Sequence, residues 1–245
     1  FRTLLIRQGR VHCWGRHYLK LQQDCAALYL ACPTSETLLS DISTLTATSP
    51  NGVGKIIITR GNGQRGYAIQ WAQNSTRIVS ISPTPSFEEF HYTTGIRLHR
   101  CVLKLGHQPR LAGIKHLNRL ENVLAATECL EEGAPEGLLE DTDGFVISGT
   151  RSNLFVIRGG TLYTPDLTRC GVSGVQRERV MDWAKEQGIA CKVTQIRFEE
   201  LLQADEIFMV NSVFGLWPVA EVDGYKRNEH PISWKIQKWL NDENN

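Results

Sequence analysis

The chain has 245 residues and a formal net charge of +1, with 41% hydrophobic and 22% charged residues. A length of this order supports one large or two small domains with a substantial core, and so even a charge balance offers no field for nucleic acid or for an anionic membrane surface. No apolar run is long enough to span a bilayer and no signal peptide is recognised; seven scattered cysteines without a Cys-x-x-Cys pair point to reduced thiols in the cytoplasm, not to a disulfide framework or a metal site.

Residues 3–6 and 10–13 read as two short strands around Gln8-Gly9, a hairpin signal. Residues 17–30 read as an amphipathic helix with Leu19, Cys25, Leu28 and Leu30 inward. Pro33-Thr-Ser-Glu-Thr37 reads as a second helix start, capped by Thr34 or Ser35, ahead of Leu38, Leu39, Ile42 and Leu45. Residues 54–60 form a buried strand that runs into Gly61-Asn-Gly-Gln-Arg-Gly66. This run matches the Gly-x-Gly-x-x-Gly of dinucleotide sites, which requires a helix next. An alternating run at 67–72 and a strand at 76–82 follow instead, so the nucleotide reading is rejected. Two readings stay open: a loop presenting Arg65 and Tyr67 to a ligand, or an ordinary surface hairpin. Pro83-Thr-Pro-Ser-Phe-Glu-Glu89 breaks the pattern and reads as an interdomain linker.

Residues 96–105 alternate as a strand, and residues 117–131 read as a helix with Leu117, Leu120, Val123, Leu124 and Leu130 at helical spacing and Gly133 as its stop. Lys115 stands where the one hands over to the other, flanked by Gly113, Ile114 and Leu117. An amine among apolar neighbours loses hydration, so its pKa falls and a nucleophilic free base becomes accessible. The alternative is a surface lysine at a helix start. Residues 137–147 and 153–164 read as hairpins turned at Asp143-Gly144 and Gly159-Gly160. Gly171-Val-Ser-Gly174 leads into a helix over 174–187 with Val175, Val180, Trp183 and Ala184 inward. Unpaired amides and the dipole at such a start bind anions; a tight turn capped by Ser173 is the structural alternative. Strands at 191–196, 207–212 and 217–224, a short helix at 199–204 and a terminal helix at 232–240 complete the chain, the last with Ile232, Ile236, Trp239 and Leu240 on one side.

The run Leu111-Ala-Gly-Ile-Lys-His-Leu-Asn-Arg-Leu-Glu-Asn-Val-Leu-Ala125 resembles the cofactor-lysine segment of aminodeoxychorismate lyases. These belong to the fold-type IV pyridoxal-phosphate enzymes, with the branched-chain and D-amino-acid aminotransferases. Further matching runs follow in order: Arg60-Gly-Asn-Gly-Gln-Arg-Gly-Tyr67, Ser152-Asn-Leu-Phe155, Gly171-Val-Ser-Gly-Val-Gln-Arg177 and Leu201-Leu-Gln-Ala-Asp-Glu206 before Asn211-Ser212. Together they cover nearly the whole chain.

The resemblance implies an α+β, two-domain enzyme: a smaller N-terminal α/β domain at 1–83, a linker at 84–92, and a larger β-barrel-like, cofactor-binding domain with helices at 93–245. It implies an N-terminal segment ahead of Phe1 in family members, pyridoxal 5′-phosphate bonded to Lys115, and a homodimer. The phosphate would fall to the amides of Val175 and Gln176, the Ser212 hydroxyl and Lys20, where the family has arginine and lysine keeps the charge but not the fork. Arg65 and Tyr67 would grip a substrate carboxylate. The reaction implied turns aminodeoxychorismate, a small molecule, into p-aminobenzoate and pyruvate; an aminotransferase, or a paralogue with altered or lost activity, is the alternative. Two departures carry weight. Ser148 stands where the family has a glutamate beside the pyridine nitrogen, and a neutral hydroxyl does not hold a pyridinium as a carboxylate does. Arg2 and Leu5, in Phe1-Arg-Thr-Leu-Leu5, also differ from the family run, while Thr3 agrees.

Overall fold

The computed structural model describes residues 1–69 and 74–242. Contacts divide the chain into two compact units: Phe1–Pro85 with Lys115–Leu117, and Ser86–Ile114 with the residues from Asn118 onward.

The first unit contains β1 (Arg2–Arg7), β2 (Arg10–Val11), α1 (Trp14–Ala27), α2 (Ser35–Thr46), β3 (Gly52–Thr59) and β4 (Thr76–Ser82). The strands form an antiparallel sheet in the order β2-β1-β3-β4. Gln8 (φ 51°) and Gly9 (φ 73°) take the left-handed pair that a tight hairpin needs. Thr34 caps α2 by accepting from the Thr37 amide at 3.3 Å. Leu4, Ile6, Ile56 and Ile58 from the sheet pack on Leu21, Cys25, Leu38 and Ile42 from the helices. Helix α1 differs from the sequence reading. It starts and ends earlier, Leu19 is exposed, and the inward face carries His17, Leu21, Asp24 and Cys25. Apolar spacing alone misplaced that face because a buried acid with a cationic partner holds part of it. In α2, Leu38 and Ile42 are buried while Leu39 and Leu45 are exposed. The glycine-rich run connects the antiparallel neighbours β3 and β4, and no helix intervenes among the described residues, as the rejection of a nucleotide fold required. Residues 67–69 are not strand, and the rest of the alternating run, 70–72, lies outside the described residues.

The second unit contains α3 (Phe90–Thr93), β5 (Ile96–Leu105), α4 (Leu120–Glu131), β6 (Glu136–Asp141), β7 (Val146–Gly149), β8 (Asn153–Arg158), β9 (Thr161–Pro165), α5 (Val175–Glu186), β10 (Cys191–Thr194), α6 (Phe198–Leu202), β11 (Glu206–Asn211), β12 (Gly215–Val222), β13 (Tyr225–Lys226) and α7 (Pro231–Asp242). Its mixed nine-stranded sheet has the order β10-β9-β8-β11-β12-β5-β6-β7, with β13 on β12. The sheet curls until its two ends meet: Phe145 bridges Arg197, and the Val146 amide donates to the Ile196 carbonyl at 2.9 Å. The barrel-like, α+β character expected from the sequence follows from this closure. Leu154, Met209 and Trp217 fill the inside with Ile96, Val146 and Ile196. Helices α5 and α7 cover the other face, where Val180, Trp183 and Ile236 pack on Phe155 and Phe208.

Helix α4 rests on β5 and β6 through Ala125 and Cys129, against Cys101 and Leu139. It begins at Leu120, later than the spacing predicts, and Leu120, Val123, Leu124 and Leu130 face outward, 57–79% exposed. The pattern identified the helix and left the direction of its apolar face undetermined. The register of β5 slips between Arg100 and Lys104, and the Glu128 carboxylate accepts the two amides released there, Val102 at 2.6 Å and Leu103 at 3.1 Å.

Candidate active site around Lys115

Lys115, with His116 and Leu117, belongs to the first unit by contact, although the chain up to Ile114 and from Asn118 belongs to the second. Both sides of its peptide are held. Its amide donates to Asp24 Oδ2 at 3.2 Å, and its carbonyl accepts from the Phe1 main-chain nitrogen at 2.7 Å. Arg2 closes the circuit: its Nε donates to the Phe1 carbonyl at 2.9 Å and its terminal nitrogen to Asp24 Oδ2. Lys20, one helical turn before Asp24 on α1, brings its Nζ to 3.5 Å from Asp24 Oδ1. The Lys115 ammonium lies 4.6 Å from the centre of the Phe1 ring. The residue is half-buried against an aromatic face, not out in bulk water. Lys20 is likewise no solvated helix lysine, since its side chain turns inward onto a buried acid.

Two residues before Lys115, the chain is stitched to the glycine-led start of α5. Gly113 donates to the Gly171 carbonyl at 3.0 Å and accepts from the Ser173 amide at 3.1 Å, forming a parallel bridge with Val172. Gly171 takes φ +87°, and a Cβ there would lie 2.8 Å from Ile147 and Leu167, so only glycine fits. Gly174 is the N-cap of α5; a Cβ on it would run into Asn153 Oδ1, which accepts its amide at 3.1 Å. No side chain caps this helix, Ser173 included, so the first-turn amides of Val175 and Gln176 are not satisfied by a cap. Arg177 fixes the same turn from below. Its Nε donates to Thr164 Oγ1 and its terminal nitrogen to the Pro165 carbonyl, both at 3.1 Å, and burial lowers its pKa from the ordinary arginine value. Sequence reasoning missed this tether because a buried arginine with neutral partners leaves no charge pattern.

Ser148 is buried on β7, and its hydroxyl donates to the Gly149 carbonyl at 2.9 Å. The nearby acid is Glu136 on β6, also unforeseen. Its oxygens accept from the Gly137 amide (3.0 Å), the Thr150 amide (2.9 Å) and hydroxyl (2.5 Å), and the Ser152 hydroxyl (2.8 Å). Four donors occupy it, so it does not stand in for a carboxylate at position 148. Ser212 is half-buried in the turn after β11, where Asn211 Oδ1 accepts the Val213 and Phe214 amides at 2.8 Å. Arg65 and Tyr67 lie exposed on the loop after β3, with the Tyr67 ring fully open to solvent. Among the described residues, two clusters carry donor atoms of metal-ligand type, His99, Cys101 and Glu128, and His107, Asp141 and Cys170. Each has a structural account: Glu128 takes the β5 amides, and His107 Nε2 bonds Asp141 at 2.9 Å while its Nδ1 accepts from Arg169 at 3.0 Å.

These residues fit much of the cofactor that the resemblance implies. An aldehyde needs an amine held at a fixed place, and Lys115 supplies it. A phosphate needs uncapped helix amides and positive charge. In the second unit the uncapped α5 start supplies the amides, and in the first unit Arg2 and Lys20 are basic side chains beside Asp24. At position 148, where the resemblance implies an acid beside the ring nitrogen, stands a neutral serine engaged with backbone.

Comparisons with known proteins agree with this geometry. The amino-transferase class IV family matches residues 1–222. The chain is 31% identical over 238 residues to the aminodeoxychorismate lyase of Vibrio harveyi, covering 97% of this chain and 87% of the relative. The crystal structure of 4-amino-4-deoxychorismate lyase from Pseudomonas aeruginosa superposes with a TM-score of 0.93 at 40% identity, over 99% of this chain and 89% of that one. The branched-chain amino acid aminotransferase of Escherichia coli shares the fold, with a TM-score of 0.83 at 21% identity over 96% of this chain and 82% of its own. The chain therefore belongs to the amino-transferase class IV family of fold-type IV enzymes.

Proposed function

We propose that this protein is a pyridoxal-phosphate-dependent carbon–carbon lyase that converts aminodeoxychorismate into p-aminobenzoate and pyruvate, the step that feeds folate synthesis, as a cytoplasmic homodimer. The observation that carries the reading is the half-buried Lys115, whose peptide is held by Asp24 and Phe1. Likeness to named lyases over nearly the whole chain supports it.

Members of this family generally use pyridoxal phosphate, which when bound supplies an aldehyde for covalent attachment and a sink for electrons released at the substrate carbon. Lys115 Nζ would be the point of attachment. The Val175 and Gln176 amides and the Ser212 hydroxyl would hold the phosphate, with Lys20 adding positive charge. With its amine free, Lys115 Nζ would act as a general base and take the proton from the ring carbon that bears nitrogen. Loss of pyruvate then leaves an aromatic ring, which supplies much of the driving force. Ser148 is consistent with this division of labour, since a reaction that ends in aromatisation leans less on a protonated ring nitrogen than amino transfer does. Arg65 and Tyr67 would position a substrate carboxylate from their loop.

The test is Lys115→Ala, for which we expect loss of p-aminobenzoate formation and of cofactor fixed to the chain by borohydride; full activity would reject the reading. An aminotransferase on the same scaffold is the second reading, favoured by 27% identity over 236 residues to a putative branched-chain-amino-acid aminotransferase of Methanocaldococcus jannaschii. Rapid half-transamination with D-alanine or a branched-chain amino acid, without p-aminobenzoate formation, would favour it. A paralogue with altered or lost activity would form no product and show no cofactor absorbance after reconstitution.

A further inference from the structure

The acid on α1 has no part in the roles above, yet it is nearly fully buried and bonded to the backbone of the one lysine on which the chemistry depends. We infer that Asp24 is a positioning residue for Lys115, an inference that rests on the proposed role of that lysine. The circuit Asp24, Lys115 amide, Lys115 carbonyl, Phe1 nitrogen, Phe1 carbonyl, Arg2 and back to Asp24 holds the lysine peptide at both ends. Such a clamp fixes where the Lys115 side chain leaves the backbone. A lysine side chain has several rotatable bonds, and fixing its root reduces the volume that Nζ samples.

Two cations face position 24 and suit an acid there, while the bond to the Lys115 amide needs only an acceptor. Oδ2 accepts a neutral amide and a guanidinium together, and Oδ1 faces the Lys20 ammonium. A serine or an alanine would leave the buried Arg2 guanidinium without its anion. Just before Lys115, the Ile114 amide donates to the Leu111 carbonyl at 3.2 Å and its carbonyl accepts from Arg119, so the Asp24 bond continues a stretch of held backbone.

The variants Asp24→Asn and Asp24→Ala separate the acceptor from the charge. The amide oxygen of asparagine keeps the bond to the Lys115 amide and stays near Arg2; alanine loses both. In cofactor-free protein, amide hydrogen exchange read residue by residue is expected to show the Lys115 amide at least about tenfold faster in Asp24→Ala, with Leu4 and Ile56 in the sheet core unchanged, and within about threefold of the parent in Asp24→Asn. In the reconstituted enzyme, kcat for p-aminobenzoate formation is expected to fall at least about tenfold in Asp24→Ala at a KM within about threefold, and to be largely retained in Asp24→Asn. Should Asp24→Ala fail to fold, Asp24→Ser, which keeps a short hydroxyl, takes its place in both measurements. Unchanged Lys115 exchange in the truncated variant, or equal loosening in Asp24→Asn, overturns the inference. If the parent itself neither fixes cofactor nor forms product while Lys115 exchange still follows Asp24 as described, the lyase reading fails and the clamp stands.

Discussion

Glu136 and Ser148 sit on neighbouring strands and illustrate opposite uses of a buried polar group. Glu136 is a closed account: four donors surround it, and none is free to leave without exposing a charge in the core. Glu136→Gln places an NH2 against those donors and is expected to lower unfolding stability by about 3 kcal/mol, read as a shift of the urea midpoint. Ser148 is the reverse case, a neutral group where the resemblance implies an acid. Ser148→Glu buries a carboxylate with no partner in the cofactor-free protein and is expected to cost about 3 kcal/mol. Pyridoxal phosphate should restore more of the thermal midpoint in this variant than in the parent, and half-transamination with D-alanine should speed up; equal cofactor stabilisation in both proteins would contradict the assignment of position 148. At this scale the sequence exposed Lys115 and the glycine-led helix start because each is a local pattern. It concealed Asp24, Glu136 and Arg177, because a buried ion's meaning lies in partners up to 91 positions away.

Helix α4 and the hairpin beneath it show what packing adds to periodicity. Gly137, at the second position of β6, lies under two thiols: a Cβ there would be 2.5 Å from Cys129 Sγ and 2.6 Å from Cys101 Sγ. Gly137→Ala is expected to destabilise by about 2 kcal/mol through overpacking. A second change, Cys129→Ala, makes room and should recover part of the loss, a coupling that a double-mutant cycle on unfolding midpoints measures. Strands, turns and most helices were legible from the sequence, because alternation and the turn residues Gln8-Gly9, Asp143-Gly144 and Gly159-Gly160 are local signals. The faces of α1 and α4 were not. In α1 an ion-paired acid points inward, and in α4 small residues, Ala125 and Cys129, face the sheet while the larger leucines face out.

On the scale of the molecule, those outward leucines matter again. Leu120, Val123, Leu124 and Leu130, with Val102 on β5, leave an apolar surface of a kind that soluble proteins usually cover. If the homodimer proposed above uses this face, Leu120→Glu combined with Leu124→Lys lowers the mass seen in sedimentation; an unchanged mass would reject this face as the interface. The pH response is likewise global. Burial lowers the pKa of both His91 and His230. The unfolded chain takes up protons at these rings near pH 6.5 while the folded chain resists, so stability is full above about pH 6.5 and falls as acid is added. The thermal midpoint should drop between about pH 7.5 and about pH 5.5, and His230→Phe should flatten that drop. The clamp on Lys115 has one more consequence. The lysine is encoded in the middle of the second unit's sequence but is gripped by residues from the beginning of the chain. Splitting the gene between codons 85 and 86 would therefore give two polypeptides, one carrying Lys115 and the other its anchors, and neither alone would assemble that lysine's surroundings.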